Sequence, residues 1–168
     1  VTASEIELRR TWRQVAGPRH DHVVDALLQR HREPHRHYHT ATHVMWVCRH
    51  VVELASNHPV PDIHAVLAAA LFHDAVYQPT SSTNEADSAA LAVHHLRDLH
   101  WVDDRVSAVD SLIMATADHR PADLGQAVLL DADLAILGAQ PGQYQAYATG
   151  VRAEYARLVE REHELGGG

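Results

Sequence analysis

The residues of this chain best suited to chemistry are aspartates and histidines that interrupt apolar sequence. Asp74 follows the apolar run AVLAAALF and its neighbour His73, and Asp131 and Asp133 interrupt a second apolar segment. Burying an ionised carboxylate alone costs several kcal/mol, so each needs a cation, strong hydrogen bonds or a metal ion. These aspartates are therefore predicted to pair with arginine, to cap a helix, or to bind a metal.

Two histidines four residues apart, His39 and His43, form a second candidate group. If both are helical, they share one face and lie about 6 Å apart along the axis. The spacing is that of the HExxH zinc motif, but Thr40 replaces the glutamate that would act as base. The pair is compatible with a metal site, and the sequence argues against a metalloprotease.

The composition narrows the classes of partner. Histidine accounts for 16 of 168 residues with no tag-like run, which indicates either metal chemistry or a pH-sensitive surface. With 22 acidic against 14 basic residues, the net charge is −8, which argues against a nucleic-acid polymer as partner. The single cysteine, Cys48, excludes an internal disulfide framework and favours a cytoplasmic location. Neither a secretory signal nor a membrane span is recognisable in the sequence.

The elements that must position these residues are predicted to be helices. Apolar residues recur at helical spacing between Pro, Gly and polar breaks, and no convincing alternating strand occurs. The chain is therefore predicted to be a single all-α domain, a bundle of seven to eight helices. The periodic segments are 8–15, 23–28, 44–54, 63–76, 86–96, 103–116, 124–137 and 144–158.

Taken in order, His43, the adjacent pair His73-Asp74 and Asp133 resemble the H…HD…D signature of the HD-domain phosphohydrolase superfamily. More narrowly, the chain is similar to the bacterial group of predicted metal-dependent HD phosphohydrolases. The resemblance extends over residues 33–155 and implies a phosphodiesterase-like helical bundle with a metal in its core. The matching stretches are EPHRHYHTATH (33–43), FHDAVY (72–77), NEADSA (84–89), ATADH (115–119), LLDADLAILG (129–138) and VRAEY (151–155).

The resemblance implies that His43, His73, Asp74 and Asp133 bind the metal. Asp131 is the alternative ligand, or a partner that holds a ligating histidine in one tautomer. Two imidazoles and two carboxylates suit one divalent Mn, Fe, Co, Ni or Zn ion, and a second ion is possible. The implied reaction is hydrolysis of a phosphate ester or anhydride of a small metabolite, with a nucleotide expected, by water activated at the metal.

Further roles are carried over from the same resemblance. His39 resembles the acid histidine of cyclic-nucleotide phosphodiesterases and is expected to protonate the leaving oxygen. Glu85 is expected to orient the attacking water, unless it only favours a helix start. His119 resembles a position that binds a second metal or the phosphate. Asn84 or Glu85 stands where some dinuclear relatives have another histidine, which argues against a tightly held second ion.

Four more side chains are expected around the substrate. Arg36 could hold a phosphate through its planar guanidinium group. Arg152 could do the same, but it is expected instead to pair with Glu154 or with a neighbouring helix. Tyr38 and Asn84 are expected to contact the substrate, and Tyr77 to form part of the pocket wall.

Two other functions remain open at the level of sequence. A mixed-valent di-iron oxygenase of the HD fold would need His119 and Glu85 as additional ligands. A non-catalytic module would use the metal to stabilise the bundle or the pocket to sense a nucleotide. The terminal helices could support a homodimer, although nothing in the sequence requires one, and the glycine tail at 166–168 is predicted to be disordered.

Overall fold

The chain folds into eight α-helices in the computed structural model, which describes the backbone of residues 1–165 and the side chains of residues 1–156. No strand occurs among the described residues, so the predicted all-α class is confirmed. The glycine tail lies outside the described residues. The helices are α1 (Ala3–Ala16), α2 (Asp21–His31), α3 (Ala41–Asn57), α4 (Ile63–Phe72), α5 (Asn84–Asp98), α6 (Asp103–Ala115), α7 (Leu124–Leu134) and α8 (Pro141–Leu165).

Helix α4 is the centre of the bundle. Every residue from 65 to 72 is buried, and the helix contacts α1, α3, α5, α6 and α7. Its alanines leave room for neighbours on all sides, and Asp62 caps the first turn by accepting from the Ala65 N–H at 3.0 Å. The C-terminal end of α4, where His73 and Asp74 follow, therefore lies deep in the molecule.

Helix α4 is shorter than the sequence pattern predicts, since it ends at Phe72 rather than near residue 76. The backbone groups that would extend the helix have other partners. The Ala75 N–H donates to the Phe72 carbonyl in a tight turn, and the Val76 N–H donates to Ser88 Oγ at 3.0 Å. The resulting bend leaves His73 as the last residue held by the helix, with its N–H donating to the Ala69 carbonyl at 2.8 Å, and places Asp74 just beyond it. Helix α7 also ends early, at Leu134, and a 3₁₀ turn over Ala135–Gly138 replaces its expected last turn.

The segment between α2 and α3 is irregular, and α8 packs across it. A Cβ atom at Gly150 of α8 would lie 3.2 Å from Tyr38 Cβ and 3.4 Å from the His37 carbonyl, so a larger residue would have to displace this segment by a few tenths of an ångström. The helix thus closes one side of the bundle over residues that the sequence assigns to the site. None of the described helices is both long and apolar enough to cross a membrane.

Candidate metal centre

Four side chains from three parts of the bundle converge on one point. His43 comes from the first turn of α3, His73 and Asp74 follow α4, and Asp133 comes from the last turn of α7. His43 Nε2 lies 3.3 Å from His73 Nε2, 3.2 Å from Asp74 Oδ2 and 3.2 Å from Asp133 Oδ1. His73 Nε2 lies 3.0 Å from Asp74 Oδ2 and 3.4 Å from Asp133 Oδ1.

These separations are those of ligands around one transition-metal ion. With metal–ligand bonds of about 2.1 Å, neighbouring ligand atoms lie about 3.0 Å apart in octahedral and about 3.4 Å apart in tetrahedral geometry. The five distances above fall between 3.0 and 3.4 Å. The ligand atoms of His43, His73 and Asp133 all lie within 4.8 Å of one another, and Asp74, which is not part of this three-residue group, adjoins both histidines. The donor set and its spacing therefore fit a metal ion.

The tautomer of His73 also fits this role. Its Nδ1 lies 2.7 Å from the Ala70 carbonyl, which can only accept a hydrogen bond, so Nδ1 carries the proton. The Nε2 lone pair of the neutral ring then faces the cluster. A hydrogen bond from the remote nitrogen to a carbonyl is the usual way in which proteins fix a ligating imidazole.

The electrostatics of the cluster favour a bound cation. Burial raises the pKa values of Asp74 and Asp133, but the neighbouring histidines outweigh this effect and hold both pKa values well below their usual range. Burial lowers the pKa values of His43 and His73, and the two carboxylates more than reverse it. Two buried carboxylates therefore require positive charge between them, which protons or a metal ion can supply.

The choice between Asp131 and Asp133 follows from helix geometry. Residues two apart on a helix point in nearly opposite directions, so only one of them can face the cluster. Asp133 has a side chain only 17% exposed and lies in contact with both histidines, whereas Asp131 is exposed on the outer face of α7. Asp131 is thus placed neither as a ligand nor as a partner of a ligating histidine.

His39 lies beside the cluster and is held by a buried carboxylate that sequence reasoning did not assign to the site. The ring centroid of His39 is 5.7 Å from that of His43, and His39 stacks on Tyr77 at 4.1 Å. Glu154 of α8, whose side chain is 0% exposed, approaches His39 Nδ1 with Oε2 at 2.7 Å. The same oxygen accepts from the Tyr77 hydroxyl at 2.9 Å.

The other oxygen of Glu154 caps the segment that carries His39. Oε1 accepts three backbone N–H groups, from His37 at 2.8 Å, Tyr38 at 2.7 Å and His39 at 2.9 Å. Burial raises the pKa of Glu154, but these hydrogen bonds and the contact with His39 outweigh burial and hold the pKa at about 2. Of the alternatives expected for Arg152, the pairing with Glu154 is wrong, because Glu154 points inward and Arg152 is exposed. Nothing in the local sequence distinguishes this glutamate from a surface one.

Arg36 does not face a substrate, which corrects the role predicted for it. Its guanidinium group is 0% exposed and donates to the carbonyls of His39 at 3.1 Å, Asp74 at 2.7 Å and Ala75 at 3.0 Å, and to Glu33 Oε2 at 3.0 Å. With its donors engaged, the side chain fastens the segment before α3 to the bend after α4. Its role is therefore to position His39 and Asp74.

Glu85, Asn84 and His119 line a cavity of about 390 Å³ beside the cluster, together with Tyr38, His39 and Tyr77. His119 Nε2 lies 3.6 Å from Asp133 Oδ2, and this contact, against opposing burial, raises the pKa of His119. Asn84 exchanges two hydrogen bonds with the backbone of Gln78, at 2.9 and 2.8 Å, and so fixes the loop before α5. Its amide is therefore engaged within the protein, whereas Glu85 lines the cavity and is near enough to His119 to contribute to the raised pKa of that histidine.

Comparison of the chain with protein-family models, with curated proteins and with solved structures finds no match in any of the three. The arrangement of the side chains is therefore the basis for a functional proposal.

Proposed function

We propose that this protein is a divalent-metal-dependent phosphohydrolase of the HD type, which hydrolyses the phosphate ester or anhydride of a small metabolite. The observation that carries the proposal is the convergence of His43, His73, Asp74 and Asp133 at ligand spacing. The order of these residues along the chain is that of the H…HD…D signature. We place the protein in the cytoplasm because its one cysteine, Cys48, is a buried free thiol.

The four residues would hold Mn²⁺, Fe²⁺, Co²⁺, Ni²⁺ or Zn²⁺. An ion at such a site supplies positive charge that polarises a phosphoryl oxygen and lowers the pKa of water. Other parts of the protein hold the proposed ligands in position: the Ala70 carbonyl fixes the His73 ring, and Arg36 fixes the backbone at Asp74.

His39 supplies the proton that the leaving oxygen needs. Its Nδ1 is bound to Glu154, so Nε2 is the nitrogen available to the substrate. A carboxylate behind an imidazole orients the ring and fixes its tautomer, as in other proton-transfer dyads. Stacking on Tyr77 limits rotation of the ring. Glu85, at the wall of the adjoining cavity, orients water for attack on phosphorus.

The proposal is tested by phosphate release from a panel of nucleotides, sugar phosphates and aryl phosphates, after reconstitution with each of the five metals. We expect turnover with at least one metal and its loss in His73→Ala and Asp74→Asn, with helicity by circular dichroism retained. His94→Ala, which changes an exposed histidine of α5, is the matched control and should keep activity. Equal turnover in the two ligand variants and the wild type would refute the assignment.

A di-iron oxygenase is the second candidate, favoured by the 3.6 Å contact of His119 with Asp133 on the side where Glu85 lies. A second ion there would take His119 and Glu85 as ligands. Elemental analysis separates the two functions, because the oxygenase requires two irons per chain and the phosphohydrolase is satisfied by one divalent ion.

A further inference from the structure

The groups that the proposed reaction uses beside the metal all face one cavity. His39, Glu85 and His119 line the cavity of about 390 Å³, which we call the smaller cavity. None of the three lines a larger cavity of about 630 Å³, which also borders the candidate metal centre, at His43 and Asp133. A substrate that meets both His39 and the water at Glu85 must therefore bind in the smaller cavity.

A partition separates the two cavities, and it consists of the four residues that line both: Tyr38, Asp133, Ile136 and Tyr147. The rings of Tyr38 and Tyr147 meet edge to face, with their centroids 4.6 Å apart. Aromatic rings at this separation are in van der Waals contact, so a substrate group cannot pass between them. The partition therefore keeps a molecule in the smaller cavity out of the larger one.

Helix α8 holds the Tyr147 ring in this position. Tyr147, Gly150 and Glu154 follow one another at spacings of three and four residues, so they share one face of the helix. Glu154 accepts from the Tyr38 N–H at 2.7 Å, and a Cβ atom added at Gly150 would lie 3.2 Å from Tyr38 Cβ. The contacts that hold α8 against the segment before α3 therefore also hold the two tyrosine rings together.

The leaving group of the ester would lie beside this partition. His39, the proposed proton donor to the leaving oxygen, has its ring centroid 5.0 Å from that of Tyr38. Two members of the partition belong to the metal centre or adjoin it, since Asp133 is a candidate ligand and the Tyr38 ring lies 4.7 Å from the His43 ring. Tyr147 comes from α8, which carries none of the candidate ligands, so the loss of its ring would open the partition and leave the four ligands in place.

We infer that Tyr147 is a specificity-determining residue, whose ring confines the leaving group to the smaller cavity and so limits the substrate to phosphate esters of small alcohols without a fused ring system. The inference rests on the proposed function and adds the limit on substrate size and the residue that sets it. Ile136 of the 3₁₀ turn is a second partition residue that is not a candidate ligand. Tyr144, whose ring centroid is 5.7 Å from that of Tyr147, lines neither cavity and provides a matched control.

The first test compares kcat/KM of the metal-loaded protein for phenyl phosphate and 2-naphthyl phosphate, whose leaving groups differ by one fused ring and have similar basicity. We expect the wild type to prefer phenyl phosphate by about tenfold or more, the scale on which apolar pockets discriminate. Tyr147→Ala joins the two cavities and should lower this preference about tenfold, and Ile136→Ala should change it in the same direction. Tyr147→Phe, which keeps the ring, and Tyr144→Ala should retain the wild-type preference. An unchanged preference in both Tyr147→Ala and Ile136→Ala, or a wild type that prefers the naphthyl ester, would overturn the inference.

The second test measures binding without turnover. Phenylphosphonate and 2-naphthylphosphonate, whose carbon–phosphorus bonds are not hydrolysed, are titrated by calorimetry into the metal-loaded protein. We expect the wild type and Tyr144→Ala to bind phenylphosphonate about tenfold more tightly, and Tyr147→Ala to bind the two with similar affinity. This pattern without hydrolysis of any ester would remove the proposed function and support the role of Tyr147. Ester hydrolysis with the same phosphonate preference in Tyr147→Ala as in the wild type would overturn the role of Tyr147 and leave the proposed function intact. Absence of both binding and hydrolysis would overturn both.

Discussion

At the scale of single residues, the site depends on which side chains face inward and on what lies behind them. Asp131 and Asp133 have the same chemistry and are two positions apart, yet only Asp133 reaches the two histidines. Charged side chains are usually exposed to solvent, but Glu154 and Arg36 are buried behind His39 and Asp74. The geometry of the site therefore depends on the buried residues that hold His39 and Asp74 as well as on the types of the site residues themselves.

The two aspartates of α7 provide a matched test of the metal centre. We expect Asp133→Asn to lower the affinity for a divalent ion by about 100-fold or more, because a neutral amide is a poorer ligand and removes the charge that balances the ion. Asp131→Asn makes the same chemical change at an exposed position and should leave affinity unchanged. Metal titration by calorimetry checks both, and equal affinities in the two variants would contradict the placement.

The contact of Glu154 with His39 predicts a dependence on the leaving group. Glu154→Gln keeps one oxygen for the backbone N–H groups but removes the charge behind the imidazole, so kcat for an alkyl phosphate should fall about 100-fold. The loss should be much smaller for p-nitrophenyl phosphate, whose leaving oxygen needs little protonation. Rates on the two esters at unchanged metal content measure this. A uniform loss on both esters would show that Glu154 only maintains the fold.

At the scale of elements, the segment before α3 is fixed from two directions rather than by its own structure. Arg36 ties it to the bend after α4, and Glu154 ties it to α8. These contacts connect the elements that carry His39 and the candidate metal ligands. Changes in the packing of α8 should therefore reach the candidate metal centre through this segment.

The role of Arg36 predicts a cost in stability. Arg36→Ala leaves the buried carbonyls of Asp74 and Ala75 without their donors, which should lower the free energy of unfolding by about 3 kcal/mol. Arg97→Ala, at an exposed position of α5, should change it by less than about 0.5 kcal/mol. Urea denaturation of the metal-free proteins compares the two. A phosphate-binding Arg36 would instead give a stable variant with a raised KM.

At the scale of the whole molecule, buried titratable groups make stability depend on pH. Burial, assisted by the nearby Arg36, lowers the pKa of His31 from 6.5 to about 3. The unfolded chain therefore binds more protons at this position between those values, and stability falls as the pH falls through that window. Glu154, with its pKa lowered from 4.5 to about 2, acts in the same direction over its own range.

Replacing His31 should remove part of this dependence. In the wild type, His31 contributes a loss of up to about 1.4 kcal/mol per pH unit on acidification below about pH 6. His31→Leu should flatten the slope, and His94→Leu, at an exposed position, should not. Free energies of unfolding measured from pH 7 to pH 4 with a chelator present test the prediction. Parallel slopes in His31→Leu and the wild type would show that His31 is not held neutral by the fold.

The sequence by itself determined the helical class, most helix positions and the set of residues suited to binding a metal. Helical periodicity is a local property, and the apolar run before His73 already indicates that this part of the chain is buried. The sequence likewise contains a recognisable motif in the order His43, His73-Asp74, Asp133, and the structure brings these four side chains together.

Only the tertiary structure decided which carboxylate of α7 enters the cluster, where α4 ends, and what Arg36 and Glu154 do. The choice of carboxylate depends on the rotation of α7 about its axis. The roles of Arg36 and Glu154 depend on backbone groups of distant segments: Arg36 donates to the carbonyls after α4, and the N–H groups before α3 donate to Glu154. The sequence shows which residues are polar, but it does not show which distant backbone groups will contact them in the folded protein. For this reason the candidate metal ligands could be named from the sequence, and the contacts that hold them in place could not.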